Sequence, residues 1–593
     1  MCGITGFAQI SKTVSQDTLN LMCNQLDYRG PDDSGIYVSD LGNVGFGHRR
    51  LAFLDLSQAG HQPMCSENGT WVIVFNGEIY NYRELRTELA GLGWHFKTHS
   101  DTEVILAGYS YWGKKMPARL RGMFAFSIYD KSSKTLFLCR DRFGIKPLYY
   151  SCSDHLFLFG SEVKSILIVP GFEKRIRKES VSLFLANRYV PTPYTMWDGI
   201  FKLPPASWLE VDINTMQLKH GKYWKLEAGN LKYTNEDHQQ NVEELLRKSV
   251  AMHLRSDVQI GSFLSGGMDS SVLVQQMVRE RYSPIDVFSI GFKGWENSEH
   301  RYAEMVSSAL GVEQNTLMLD RISLDSVSHL MYHYDDPIAD ISILPTYAVC
   351  GLAAGKVKAV LSGEGADECF GGYWWHKPKS FQKTSLWVRL KEMVLGTDFE
   401  RVKSHYIQAM SMGLFSAQEL QKALGHEWQS SIPQDPFAHF DAFKLKGISP
   451  VKQLQFLDIN TFMPELILAK VDRASMAHSL EVRVPFLDHP LVEYLFSLDE
   501  SLYMETGIQK KNLRQMLKGN VPNEVFERPK QGFVGPDKFY EDFEGYSHAL
   551  ENGVLVKDGI IKREYISALL LAKDHWRLWK IFVLQNWWLQ WVV

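Results

Sequence analysis

At 593 residues the chain is too long for one hydrophobic core, and at about 100–200 residues per domain it predicts two to four units. Apolar residues make up 45% and charged residues 22%, the balance of a soluble globular protein, and a formal net charge of −4 offers neither nucleic acid nor an anionic membrane a complementary field. Seven scattered cysteines without a CxxC pair exclude a disulfide framework or a zinc ribbon and point to a reducing cytoplasm.

No basic segment followed by an apolar run opens the chain, so no signal peptide is expected. Up to about Tyr223, short β-like runs alternate with turn signals. Residues 69–75 lead into Asn76-Gly77, which alone reads as a type I′ hairpin turn, and 123–129 is followed by 136–139. Residues 82–92 and 101–112 read as helices between them, so the first part is predicted to be α+β with antiparallel sheets. The polar stretch 227–240 reads as a linker. Beyond it, 259–264 predicts a strand, followed by a Gly-rich turn and a helix over 270–281; 285–292 and 357–361 predict two more strands. Strands alternating with helices predict an α/β parallel sheet, whose ligands bind at the C-terminal ends of its strands. From Trp374 onward the pattern is mostly helical and is expected to wrap that sheet. The apolar tail 581–593 is too short for a membrane span and is broken by Gln585, Asn586 and Gln590, which predicts a packed Trp-rich helix.

Cys2 follows the initiator methionine, and a small second residue permits removal of that methionine. The mature chain is then expected to begin with a thiol and a free α-amine on one residue. With a pKa of about 8 the amine takes the thiol proton without a histidine. The segments Met1-Cys2-Gly3-Ile4-Thr5-Gly6, Arg29-Gly30-Pro31-Asp32, Gly47-His48-Arg49-Arg50-Leu51, Phe75-Asn76-Gly77-Glu78-Ile79-Tyr80-Asn81 and Ser100-Asp101-Thr102-Glu103 follow in that order. Together they resemble the class II glutamine amidotransferase domain, an N-terminal-nucleophile fold with an αββα sandwich. The resemblance covers 1–223 and implies roles. The Asn76 side chain and Gly77 N–H serve as oxyanion donors. Arg50, alone readable as a surface ion-pair partner, takes the glutamine carboxylate, and Asp101, with Glu78 nearby, takes its ammonium.

Leu264-Ser265-Gly266-Gly267-Met268-Asp269-Ser270-Ser271 lies between a predicted strand and a predicted helix. Glycines admit a polyanion close to the backbone, and the helix N-terminus offers free N–H groups. No GxxxxGK[ST] run occurs, so this is not the usual P-loop. It resembles the SGGxDS loop of the ATP pyrophosphatases, which cleave ATP between the α- and β-phosphates. That implies ATP as a substrate held by Leu264, Ser265, Gly266, Gly267 and Ser270, with Asp269 as a Mg2+ ligand. A second run, Leu361-Ser362-Gly363-Glu364-Gly365-Ala366-Asp367-Glu368 and then Phe370-Gly371-Gly372-Tyr373, also follows a strand and places three acidic groups on one loop. By the resemblance, Ser362 and Gly363 lie near the nucleotide, Asp367 is a further Mg2+ ligand, and Glu364 serves the acyl-adenylate step as general base toward ammonia. Leu264 and Ile290 match positions lining the adenine pocket, and Lys510 matches a phosphate-contacting lysine. Runs at 470–476, 481–488 and 528–533 are similar to further signatures, so nearly the whole chain resembles the glutamine-hydrolysing asparagine synthetases, with 236–593 as the synthetase domain.

The implied reaction amidates a carboxylate through an acyl-adenylate, with L-aspartate to L-asparagine as the first choice. A shielded route for ammonia and, from many relatives, a homodimer belong to the same resemblance. The stretch 332–346 should border the acceptor pocket. It departs from the segment that some asparagine synthetases place around aspartate, which leaves a cell-wall precursor, a sugar acid or a natural-product acid open as acceptor. A β-lactam synthetase-like member would lack a working glutaminase. A catalytically silent regulatory scaffold would have lost Cys2, Asp269 or Asp367, and all three are present.

Overall fold

The computed structural model describes residues 2–593 apart from 12, 230–234, 297, 321–323, 378–398, 505–507, 528–532, 534 and 536–539. The 528–533 signature, except Phe533, and the middle of the 227–240 stretch therefore lie outside the described residues.

Two six-stranded antiparallel sheets build the first part. In one, Gly3–Gln9 pairs with Val44–Arg50 on one side and Leu156–Gly160 on the other. In the other, Trp71–Ile79 pairs with Gly122–Asp130 along its whole length. Alternate side chains point to opposite faces. Ile4, Phe46, Val74, Leu138 and Phe157 fill the space between the sheets. Phe75, Phe126 and Phe137 face outward and are covered by helices Tyr82–Gly91 and Asp101–Trp112. On the far side Phe7 and Leu158 pack under helices Gln16–Asn24 and Lys178–Asn187. The result is the expected helix–sheet–sheet–helix sandwich.

Asn76-Gly77 does not turn the chain, contrary to its reading as an isolated dipeptide. The strand runs on to Ile79, with Asn76 opposite Ala125 and Gly77 opposite Phe124. Gly77 has φ +153°, and a Cβ there would stand 2.0 Å from the Met123 carbonyl oxygen. A close strand approach, not a turn, is what demands glycine.

The second part is built on a five-stranded sheet, parallel throughout, in the order Glu313–Leu319, Asp286–Phe292, Ile260–Phe263, Ala359–Leu361, Glu481–Arg483. Ile260–Phe263 and Ala359–Leu361 are neighbours, so the Gly-rich turns that follow them emerge side by side at one sheet edge. Helix Met268–Arg279 starts earlier than the sequence suggests because Gly267 occupies its N-cap, which places Asp269 in the first turn. The 227–240 stretch is not a linker throughout, because helix Asn235–His253 takes its second half. Val242, Leu246 and Val250 recur at i, i+4 spacing and are fully buried, so the polar residues before them become the first turns of that helix.

Helix His575–Trp591 is the expected packed terminus. Its Trp579, Phe582 and Trp587 share one apolar cluster with Phe7, Phe184 and Trp197 of the first part, and the Trp197 and Trp587 rings lie 5.6 Å apart. Among the described residues no helix is long and apolar enough to cross a membrane.

Candidate active site

Cys2 and Asn76 meet across the sandwich. The Cys2 N–H donates to Asn76 Oδ1 at 3.0 Å, and the Leu51 carbonyl lies 4.0 Å from Cys2 Sγ. With Oδ1 engaged, Asn76 turns its Nδ2 inward, where it is buried without a partner. An orphaned buried donor is costly, and oxyanion holes are built from such donors. Burial pushes the Cys2 thiol up, so a base has to take its proton before it attacks. His48 is not placed for that: its Nε2 meets the Phe75 carbonyl at 3.1 Å, and burial pulls its pKa down to about 3.

Arg50 is gripped by three carbonyls, those of Leu54 at 3.1 Å, Asp55 at 2.6 Å and Ser57 at 3.2 Å. Carbonyls fix the guanidinium fork without neutralising it, so the charge stays available to a carboxylate. Asp101 opens helix Asp101–Trp112, and its Oδ2 accepts the Ile79 N–H at 2.9 Å. Burial pushes its carboxyl up to about 6. Glu78 is buried next to it in charge terms, is pushed up by burial, and faces Arg483 of the second part at 3.3 Å. The sandwich thus draws these residues from three strands and one helix start: Cys2 precedes Gly3–Gln9, Arg50 ends Val44–Arg50, Asn76, Gly77 and Glu78 lie in Trp71–Ile79, and Asp101 opens its helix.

At the edge of the parallel sheet the two Gly-rich turns touch: a Cβ on Gly363 would stand 3.1 Å from Asp269 Cβ. Ser265 and Ser270 hydroxyls lie 3.2 Å apart, the Gly267 N–H donates to Ser265 Oγ at 3.2 Å, and Gly266 forms the turn with φ +68°. Leu264 and Ile290 are buried in the apolar cluster beneath, where the Leu264 carbonyl accepts from Ser289 Oγ at 2.6 Å. The Ser362 N–H donates to the Arg483 carbonyl at 2.9 Å, and the Ser362 hydroxyl donates to Glu364.

Lys510 is where the two turns meet. Its Nζ stands 2.6 and 2.5 Å from the Asp269 oxygens and 2.5 Å from Asp367 Oδ1. Against the cost of burial, the two aspartates hold this ammonium above the ordinary lysine range. Gly372 leaves the room, since a Cβ there would stand 1.8 Å from Asp367 Oδ1 and 2.2 Å from Lys510 Cε. Carboxylates converging on one positive charge are the donor set a hard divalent cation takes, so the pair fits Mg2+. Among the described residues no group of three or more His, Cys, Asp or Glu is placed to hold a metal, so water and phosphate oxygens would complete the shell. Glu368 beside Asp367 is pushed up to about 8, first by burial and then by Asp367, and accepts from the Tyr373 hydroxyl at 2.8 Å.

Sequence reasoning missed a buried network of charges joining the two parts. Arg473 pairs with Glu162 and with Asp335, each at 2.8 Å. Lys202 pairs with Asp336 at 2.9 Å and Glu465 at 3.0 Å. Lys470 donates to Ser342 Oγ at 2.7 Å and lies 3.5 Å from Asp340. Each aspartate of the 332–346 stretch therefore already faces a buried cation. Lys470, Arg473 and the aspartates lie in quoted runs, while Glu162, Lys202 and Glu465 lie in none, and residues so far apart in sequence carry no signal of their pairing.

A glutamine amidotransferase domain model matches residues 1–224, and an asparagine synthase model matches residues 241–590. The pair defines the class: a carbon–nitrogen ligase that amidates a carboxylate with glutamine as nitrogen donor. A glutamine-hydrolysing asparagine synthetase of Bacillus subtilis is 32% identical over 99% of this chain and 96% of its own. A putative asparagine synthetase of Methanocaldococcus jannaschii is 34% identical over 82% of this chain and 100% of its own, and an amidase of Gibberella zeae is 29% identical over 91% and 90%. The chain belongs to the asparagine synthase family.

Proposed function

We propose that the enzyme converts L-aspartate to L-asparagine, using glutamine and ATP and releasing glutamate, AMP and pyrophosphate. The use of glutamine and ATP is carried by the orphaned Asn76 Nδ2 beside a buried Cys2 in a chain that also holds the Asp269–Lys510–Asp367 clamp, and aspartate as acceptor is supported by the likeness to a glutamine-hydrolysing asparagine synthetase. We place the glutaminase at 1–223 and the synthetase at 236–593.

In the glutaminase, removal of the initiator methionine turns the Cys2 nitrogen into an α-amine that takes the thiol proton. Sγ attacks the glutamine amide carbon while Asn76 Nδ2 and the Gly77 N–H hold the oxyanion. Ammonia leaves with the proton, and water clears the glutamyl thioester. Arg50 binds the substrate carboxylate, and Asp101 with Glu78 binds its ammonium. In the synthetase, the acceptor carboxylate attacks the α-phosphorus and pyrophosphate leaves. Ammonia then attacks the adenylate carbonyl, Glu364 takes its proton, and AMP departs. Leu264 and Ile290 border adenine, while Ser265, Gly266, Gly267, Ser270, Ser362, Gly363 and Lys510 receive the phosphates. Asp269 and Asp367 would hold Mg2+, which when bound neutralises charge on the leaving pyrophosphate.

Asp101 gives this reading a pH signature. Its raised pKa means that the carboxyl is already half protonated at about pH 6, where a free carboxylate is still charged. Protonation removes the attraction for the substrate ammonium. The KM for glutamine is therefore expected to rise about tenfold per pH unit below pH ~6 and to be flat above it. Glutamate release between pH 5 and 8 checks this, and a flat KM through pH 5 would remove Asp101 from the ammonium site.

The reaction itself is tested by incubating purified protein with Mg-ATP, glutamine and L-aspartate and identifying the product by mass. Asparagine formed in step with AMP is the expected result. Glutamate release without asparagine would move the proposal to another carboxylic acid. That second reading is favoured by the aspartates of 332–346, which are all engaged by cations, and by the amidase among the relatives.

A further inference from the structure

We propose that Asp472, on the synthetase helix Ala469–Met476, is a positioning residue for the Cys2 nucleophile and acts through Arg29, so that one half of the chain aligns the chemistry of the other. The proposal rests on the reading of Cys2 given above.

Cys2 lies just before strand Gly3–Gln9, whose pairing begins with Gly3 opposite Arg49, so the sheet ladder does not fix Cys2 itself. Two bonds do. Its N–H donates to Asn76 Oδ1 at 3.0 Å, and its carbonyl accepts from Arg29 Nε at 3.2 Å. The carbonyl bond sets the rotation of the residue about its Cα and with it the direction of Sγ. Arg29 is completely buried, and its remaining nitrogens are all directed at carboxylates: Nη1 to Glu162 at 2.6 Å, and Nη1 and Nη2 to the two oxygens of Asp472 at 2.9 and 3.2 Å. A fork held on both prongs by one carboxylate cannot rotate, so the position of Asp472 dictates where Nε points.

Asp472 is itself placed by its helix. From the same helix Lys470 reaches Ser342 at 2.7 Å, and Arg473 reaches Asp335 and Glu162, each at 2.8 Å. One short helix therefore grips both the 332–346 stretch and the arginine behind the nucleophile. Arg473 adds a second path from the same helix, through Glu162, which also meets Arg29 Nη1. This continuity makes alignment of Cys2 depend on how the synthetase helix is seated.

The test uses the full-length chain with Asp472→Asn, which keeps shape and removes charge, and with Arg29→Lys in the other half. Glutamate release is measured with its kcat and KM separated, and AMP formation is measured with ammonium chloride replacing glutamine. Misplacing a nucleophile by a fraction of an ångström costs on the order of 10–100-fold in kcat. That loss is expected in both variants, with KM for glutamine and ammonium-dependent AMP formation each within about threefold of the parent. Glutamate release unchanged in Asp472→Asn, while Cys2→Ala abolishes it, would overturn the proposal and leave the Cys2 reading intact. Glutamate release surviving in Cys2→Ala would overturn both. If Asp472→Asn loses both activities, Arg29→Lys decides: a selective loss of glutamate release supports the proposal, and an intact one overturns it.

Discussion

Replacing Cys2 by alanine is expected to reduce glutamine-dependent amide formation by on the order of 10⁴-fold, about 5 kcal/mol of barrier, while ammonium-dependent formation stays within about twofold. The argument is geometric. In the proposed mechanism the thiol is the nucleophile, and the Leu51 carbonyl beside it offers no replacement. The oxyanion donors persist in the variant but have no tetrahedral carbon to serve. Alanine is smaller than cysteine at a buried site, so the cost to folding is limited to the loss of one sulfur's contacts. The synthetase turns lie on a different sheet and receive free ammonia as readily as before. Amide formation from ammonium chloride, followed beside that from glutamine, separates the outcomes. Parallel loss of both would contradict two separate sites, and retention of both would remove Cys2 from the chemistry.

Asp269→Asn is expected to do the converse. AMP formation should fall by on the order of 10³-fold, the scale of losing a carboxylate that would hold the cation neutralising the pyrophosphate, while glutamate release stays within about threefold. The asparagine side chain would keep the shape and one oxygen but not the charge that, with Asp367, brackets Lys510 Nζ. The variant leaves Lys510 with one carboxylate, so the ammonium shifts toward Asp367 and away from the turn that should receive phosphate. Asp269 is only partly buried, with 23% of its side chain exposed, so the fold is expected to tolerate the change. The assay is AMP release against glutamate release on one preparation. Undiminished AMP would sink the assignment, and a matched fall in both would point to unfolding instead.

Much of the fold is legible in the sequence because it depends on local pattern. Continuous apolar runs in 71–75, 123–129 and 136–139, bounded by turn signals, mark those strands, since one face of each sheet meets the other sheet and the opposite face meets helices. The Gly-rich turns of the parallel sheet are legible because two such runs, at 264–271 and 361–373, each follow a strand. Gly77 reads falsely as a turn because its true constraint, the Met123 carbonyl, belongs to a strand more than forty positions away. The helix at 235–253 is half hidden because its first turns are polar, and only the buried spacing of Val242, Leu246 and Val250 reveals it. The Lys510 clamp and the Arg29–Asp472 pair are out of reach, since each joins residues whose separation, 241 and 443 positions, leaves no local trace.

The shared apolar cluster around Trp197 and Trp587 has a consequence for the history of such a chain. Burying each large side chain contributes about 1.5–3 kcal/mol, and here many of those contributions are made by residues from opposite ends of the polypeptide. A fragment cut in the 230s would face water with Phe184, Leu185 and Trp197, and its counterpart would do so with Trp579, Phe582 and Trp587. Neither half could be grafted onto a foreign partner unless the docking surface travelled with it. Separating the two parts is therefore expected to cost solubility before any question of catalysis arises.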